Sequence, residues 1–157
     1  MTFIFQRHRD TGDWIWKTSG EKVGHRFKTV REGKDKAKVA LLLSLSGSLG
    51  LEKLPPVIGQ DFYVYEITVA KGIPTPIYLR LKEDLDNFQE IYQQSLRIIE
   101  SNHPALKEIH LFPAVPAPVA FYCGHDLLPK TDPALLIYDN DKKNGGFKYI
   151  FEVNNAQ

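Results

Sequence analysis

Cysteine is nearly missing from this chain. Cys123 stands alone among 157 residues, which excludes an intrachain disulfide and a cysteine-built zinc cage and suits a reducing compartment. Long apolar runs are missing too: none approaches the ~20 residues that a bilayer-spanning helix needs, so no membrane partner is expected. The amino terminus becomes charged at Arg7, which is unlike a secretory signal peptide. Together these place the protein in the cytoplasm. The Gly-x-Gly-x-x-Gly fingerprint and the Gly-Lys-Ser/Thr phosphate loop are both absent, which removes the main support for dinucleotide or ATP binding. A serine-hydrolase elbow fails as well, because Ser44 occupies the first glycine position of Gly-x-Ser-x-Gly around Ser46. No general acid–base pair and no set of metal ligands at ligand spacing is visible. Neither a catalytic residue nor a metal or cofactor is expected.

What is present is ordinary soluble composition, with 43% apolar and 25% charged residues, enough to bury a core in one domain of this length. The net charge of +1 hides an asymmetry. Residues 1–38 hold ten Lys/Arg against five Asp/Glu, and the remainder holds ten against fourteen. A basic arm on a slightly acidic body attracts anions such as phosphates; a solvated segment is the plainer reading.

The pattern divides the chain into a basic hairpin and linker over 1–37 and an α/β unit over 38–157. Phe3–Phe5 and Trp14–Trp16 flank a Thr11-Gly12-Asp13 turn, which predicts a β-hairpin. The polar stretch 19–38 reads as a connection, with a short strand at 26–31. Val39–Leu43 is a continuous apolar run, typical of a strand buried on both faces. Phe62–Val69 is a second strand, rich in aromatic and β-branched residues. Leu85, Phe88, Tyr92, Leu96 and Ile99 share one face of a helix over 82–101, with Glu83, Asp84 and Asp86 suiting its dipole. A strand at 108–113, a helix near 116–127, a strand at 135–139 and a closing strand at 147–153 complete a mainly parallel sheet flanked by helices, with an antiparallel hairpin at its carboxyl end.

Two turns stand out. Glu108–Phe112 runs into Pro113-Ala114-Val115-Pro116-Ala117-Pro118, where prolines that cannot donate to a ladder end the strand and small residues leave the backbone bare. In open α/β sheets ligands sit at such strand ends. Ser44-Leu45-Ser46-Gly47-Ser48 follows the first parallel strand, and its hydroxyls and the Gly47 amide suit a phosphate; a helix cap is the plainer reading. Cys123-Gly124-His125-Asp126 is too short in spacing for a nucleophile pair to converge, so Cys123 reads as a core residue. His103 and His110 read as structural, and Asp139 and Asp141 as turn residues. Trp14 and Trp16 share one side of the hairpin. They suit base stacking, though covering a core edge or subunit interface is the commoner use.

In order along the chain, Leu43-Ser44-Leu45-Ser46-Gly47-Ser48, Val64-Tyr65-Glu66-Ile67-Thr68, Asp86-Asn87-Phe88 with Tyr92, His110-Leu111-Phe112-Pro113-Ala114-Val115-Pro116, Ala120–Gly124 and Leu136-Ile137-Tyr138-Asp139 resemble the carboxyl-terminal half of a SAVED domain, over residues 38–154. That family's sensors belong to bacterial anti-phage systems (CBASS and some type III CRISPR effectors) and consist of two Rossmann-like halves related to CARF domains. The resemblance implies a CARF-like, Rossmann-like fold and binding of a cyclic oligonucleotide second messenger. It also implies an effector domain or subunit as partner, and self-association or pairing with another half. It places Ser46, Gly47 and Ser48 on phosphate or ribose and Pro113, Ala114 and Pro116 on the pocket wall, counts Ser44 among the ligand-binding residues, and has cations from the arm closing over the ligand. Two alternatives stay open. One is a ring nuclease that uses Ser44, Ser46 or His110 to orient the ribose hydroxyl or phosphate. The other is a ligand-free interaction module docked through Trp14 and Trp16.

Overall fold

The computed structural model describes residues 16–17, 20–125, 133–141 and 145–153. The hairpin expected over 3–18 lies outside them except for Trp16 and Lys17. Lys17 bridges in parallel to Leu81, and Trp16 packs half-buried against the core.

Six strands, β1 (His25–Arg31), β2 (Val39–Ser44), β3 (Tyr63–Val69), β4 (Glu108–Ala114), β5 (Ala134–Asp141) and β6 (Gly146–Val153), form one sheet in the order β1-β3-β2-β4-β5-β6. The inner strands β3, β2, β4 and β5 are parallel, while β1 and β6 pair antiparallel at the two edges. The sheet is therefore mixed. β1 joins it from the segment that the sequence assigns to the linker, and β6 closes it as the sequence predicts.

Two helices, α1 (Lys82–Asn102) and α2 (Ala117–His125), both pack on one face. Leu85, Phe88, Tyr92, Leu96 and Ile99 of α1 meet Leu41, Leu43, Tyr65, Ile67 and Leu111 there, with Val119 and Cys123 of α2. Among the described residues no helix packs on the other face. The expected strand–helix alternation breaks between β2 and β3, where residues 45–62 hold only a 3₁₀ turn at Leu51–Lys53. Gly47, Gly50, Gly59 and the Pro55-Pro56 pair disfavour a helix in that span. This irregular segment covers the second face through Ile58, Leu49 and Leu54, over Ala40, Leu42, Val64, Phe112 and Tyr138. Gly33 marks a close approach of two backbones: a Cβ there would lie 2.2 Å from the Asp61 carbonyl oxygen.

Asp84, expected to serve the dipole of α1, does something more specific. It is 2% exposed, and its carboxylate accepts the backbone N–H groups of Val23 and Gly24 at 2.9–3.2 Å. It thereby latches the segment before β1 onto the start of α1.

Three imidazoles are held in this framework, His25 and His103 buried and His110 half-buried. The His25 Nδ1–H donates to Asn87 Oδ1 (2.8 Å), and Tyr78 O–H lies 3.1 Å from Nε2. The His103 Nδ1–H donates to the Lys36 carbonyl (2.7 Å), with Tyr65 O–H at 2.8 Å from its other nitrogen. Tyr138 O–H lies 2.8 Å from His110 Nδ1. Burial pushes all three below the ordinary value of 6.5, opposed by Asn87 and Asp84 at His25, by the Lys36 carbonyl at His103 and by Glu108 at His110. The unfolded chain then binds more protons than the folded one below about pH 6.5, so stability rises with pH through that window. Thermal melts between pH 5 and 8 should show a plateau above about pH 6.5 and a falling Tm below it. A Tm that is flat down to pH 5 would contradict the lowering by burial at these three histidines.

Candidate functional site

Strand order decides where the site lies. From β2 the chain moves to β3 on one side, then crosses to β4 on the other. The direction of winding reverses between β2 and β4, and in open α/β sheets ligands bind outside the carboxyl ends of the strands at that point. Here those ends are Ser44 and Ala114, which are direct register partners. Just beyond them the Ala114 carbonyl accepts both the Leu45 N–H (3.0 Å) and the Ser46 N–H (2.7 Å). The two turns singled out by the sequence are thus stitched together at the switch point.

β4 runs one residue past Pro113, not stopping at it. Within a strand a residue's N–H and C=O point to the same side. The Ala114 carbonyl reaches toward β2, so the missing N–H of Pro113 points toward β5. Pairing with β5 has already ended at Leu111–Ile137, and no ladder bond is lost. Pro113 and Ala114 are half-buried and Pro116 is buried. The Pro116 carbonyl opens α2 by accepting the Val119 and Ala120 N–H groups.

Ser46 and Gly47 are half-buried and Ser48 is exposed. Among the described residues the backbone N–H groups of Gly47 and Ser48 make no hydrogen bond. Among the described residues no atom lies within 4 Å of where a Cβ on Gly47 would be. Two unspent amides beside a serine hydroxyl form a small anion-accepting surface. Lys53, which sequence reasoning missed, adds a cation; its Nζ donates to the Ser48 carbonyl at 2.9 Å. Nothing in the sequence flagged it, because the fold of the loop alone brings it back.

Ser44 is placed differently from the expectation of ligand contact. It is 1% exposed, and its hydroxyl donates to Glu66 Oε2 at 2.5 Å while accepting the Leu49 N–H at 3.2 Å. It supports the turn from below. Glu66 was also missed, though the sequence carried a signal: a carboxylate in the middle of a strand otherwise suited to burial.

Other candidates lie elsewhere. His110 pairs with Ala40, four residues before Ala114, which is roughly 13 Å away at ~3.3 Å per residue. Cys123 is buried in the helix-face core. Asp139 is exposed, opposite Lys148 in the edge ladder. Asp126 lies outside the described residues, as do the side chains of His125 and Asp141. Among the described residues no three His, Cys, Asp or Glu side chains come together as metal ligands do, and no helix is long and apolar enough to cross a membrane.

A mixed α/β sheet with two joined turns at its switch point is the architecture in which open α/β domains place their ligands. The family model for SAVED, the SMODS-associated and fused to various effectors sensor domain, matches residues 1–153. The chain belongs to the SAVED family, and the match reaches well ahead of residue 38, where the resemblance in sequence begins. In fold the chain is similar to the Acinetobacter baumannii Cap4 SAVED/CARF-domain containing receptor, solved with the cyclic trinucleotide 2′3′3′-cAAA (TM-score 0.61, 16% identity) and with 3′3′3′-cAAA (TM-score 0.62, 15% identity). Each comparison covers 87% of this chain and 28% of the receptor chain. The chain therefore spans less than a third of the length of those receptors. No curated protein matches it in sequence.

Proposed function

We propose that this chain is a sensor module that binds a cyclic oligonucleotide second messenger in bacterial anti-phage defence, and so regulates a linked or partner effector. The observation that carries the reading is the joined pair of turns at the switch point, with the Gly47 and Ser48 amides unspent. Phosphates would take those amides and the hydroxyls of Ser46 and Ser48, with Lys53 adding charge. Pro113, Ala114 and Pro116 would shape the wall against which base or ribose lies. The similar receptors, solved with cyclic trinucleotides, support a ring of adenylates as the first ligand to try. The role is binding, not turnover, because His110, the one imidazole considered for a cleaving role, sits well back along β4. Because the chain matches 28% of those receptors, a complete pocket involves more than this chain, by self-association or by pairing with another SAVED half. The cytoplasm, where such a messenger would be made, is the proposed location.

A thermal-shift screen against cyclic di-, tri- and tetranucleotides, with linear adenylates as controls, tests this. Ligand at a hundred times its Kd stabilises by about 2.7 kcal/mol, a rise of roughly 5–10 °C for a domain of this size. A rise for one ring and not for its linear counterpart is expected. No rise for any ring, with this chain alone and within its longer assembly, overturns the reading.

A further inference from the structure

We infer that Glu66 is the positioning residue of the ligand turn: buried beneath residues 44–49, it orients Ser44 and through it aims the Gly47 and Ser48 amides into the crevice. The inference rests on the reading above and deepens it.

The argument starts from donor counting. A carboxylate only accepts hydrogen bonds. Glu66 is 7% exposed, and its Oε2 lies 2.5 Å from Ser44 Oγ, so the one hydroxyl proton of Ser44 is committed to Glu66. Ser44 Oγ is left as an acceptor, and it takes the Leu49 N–H at 3.2 Å. That bond closes the far end of the turn. The near end is held by Thr68, whose hydroxyl donates to the Ser44 carbonyl at 3.0 Å, and by the Leu45 and Ser46 amides on Ala114. Every amide bordering the free pair is therefore tied down. The other oxygen of Glu66 meets Lys28 Nζ at 3.2 Å, so its register partner on the neighbouring edge strand β1 holds the carboxylate in place. A buried carboxylate in an otherwise apolar strand is costly to keep. Here its use is to make a serine point one way.

The test uses E66Q, S44A and the double variant. The three readouts are affinity for 2′3′3′- and 3′3′3′-cyclic triadenylate, Tm, and hydrogen exchange of the Leu49 amide without ligand. The expected result is faster Leu49 exchange and about a tenfold loss of affinity in each single variant, with the double variant no worse than either, because coupled residues are not additive. If wild type binds and both single variants bind equally well, the inference is overturned, even if Tm has fallen, because Glu66 is then only structural. S44A keeps the test open should E66Q fold poorly. If wild type, alone and within its longer assembly, binds no cyclic di-, tri- or tetranucleotide, the functional reading fails first and the ligand-positioning role falls with it; unchanged Leu49 exchange in E66Q and S44A would overturn the hydrogen-bond chain independently of any ligand.

Discussion

Replacing Phe112 by alanine should destabilise the protein by about 3–5 kcal/mol, the cost typical of truncating a fully buried phenylalanine. Phe112 is wholly buried. Its ring stacks on Tyr138 at a centroid distance of 4.4 Å and meets Phe147 edge-on at 5.2 Å. It sits on the face that has no helix, where the cover is the irregular segment 45–62 with Ile58, Leu49 and Leu54. A cavity there has one rigid wall, the sheet, and a loop that cannot collapse far without pulling on the turn after β2. The expected Tm loss is roughly 6–20 °C, read by calorimetry. Phe112→Leu, which keeps most of the volume, should lose much less. A loss under 2 °C for the alanine variant would show that this face is not packed as described. Because Phe112 lies two residues before Ala114, the same variant should also weaken any ligand held at the elbow.

Gly47→Glu should do the opposite: leave stability nearly untouched and abolish most ligand binding. No atom of the described residues lies within 4 Å of a Cβ on Gly47, and its backbone is not in the left-handed region, so a side chain enters at the ±0.5 kcal/mol typical of surface changes. Its carboxylate, however, would stand beside the two free amides and face an incoming phosphate. Like charges ~4 Å apart at a protein surface cost up to about 4 kcal/mol before salt screening. A hundredfold loss of affinity, about 2.8 kcal/mol, is the expected result. Gly47→Lys should bind at least as well as wild type, and the gap between the two variants should narrow with added salt. Calorimetric titration with the cyclic triadenylates decides it. Equal affinity of Gly47→Glu and wild type would move the ligand away from this turn.

Much of the fold was legible because burial writes itself into sequence period. Val39–Leu43 reads as a two-sided buried strand, and Leu41, Leu43, Ala40 and Leu42 do divide between the two faces. The 3.6-residue spacing of Leu85, Phe88, Tyr92, Leu96 and Ile99 gives α1 to within one residue. The alternation of elements reads as a mainly parallel sheet flanked by helices, and both described helices lie on one face, because the segment after β2 is long enough for a helix but carries the glycines and prolines that prevent one. The elbow strand was cut a residue short because a proline's cost depends on which side its missing donor faces, and only strand pairing decides that.

The candidate site divides the same way. Local chemistry pointed to both turns: serines with a glycine after one strand, prolines with alanines after another. The sequence by itself determined which residues could leave a backbone bare. That the two turns are register partners joined through the Ala114 carbonyl depends on strand order, a pairing between positions 70 residues apart that no local pattern encodes. The inward placement of Ser44 and the buried Glu66 beneath it follow from that order as well, while the return of Lys53 to Ser48 follows from the path of the loop after β2. Hydrophobic period specifies which face of an element is buried; only the tertiary structure, through long-range pairing and hydrogen bonds that must all be satisfied together, decided which polar groups are spent and which are left free to bind.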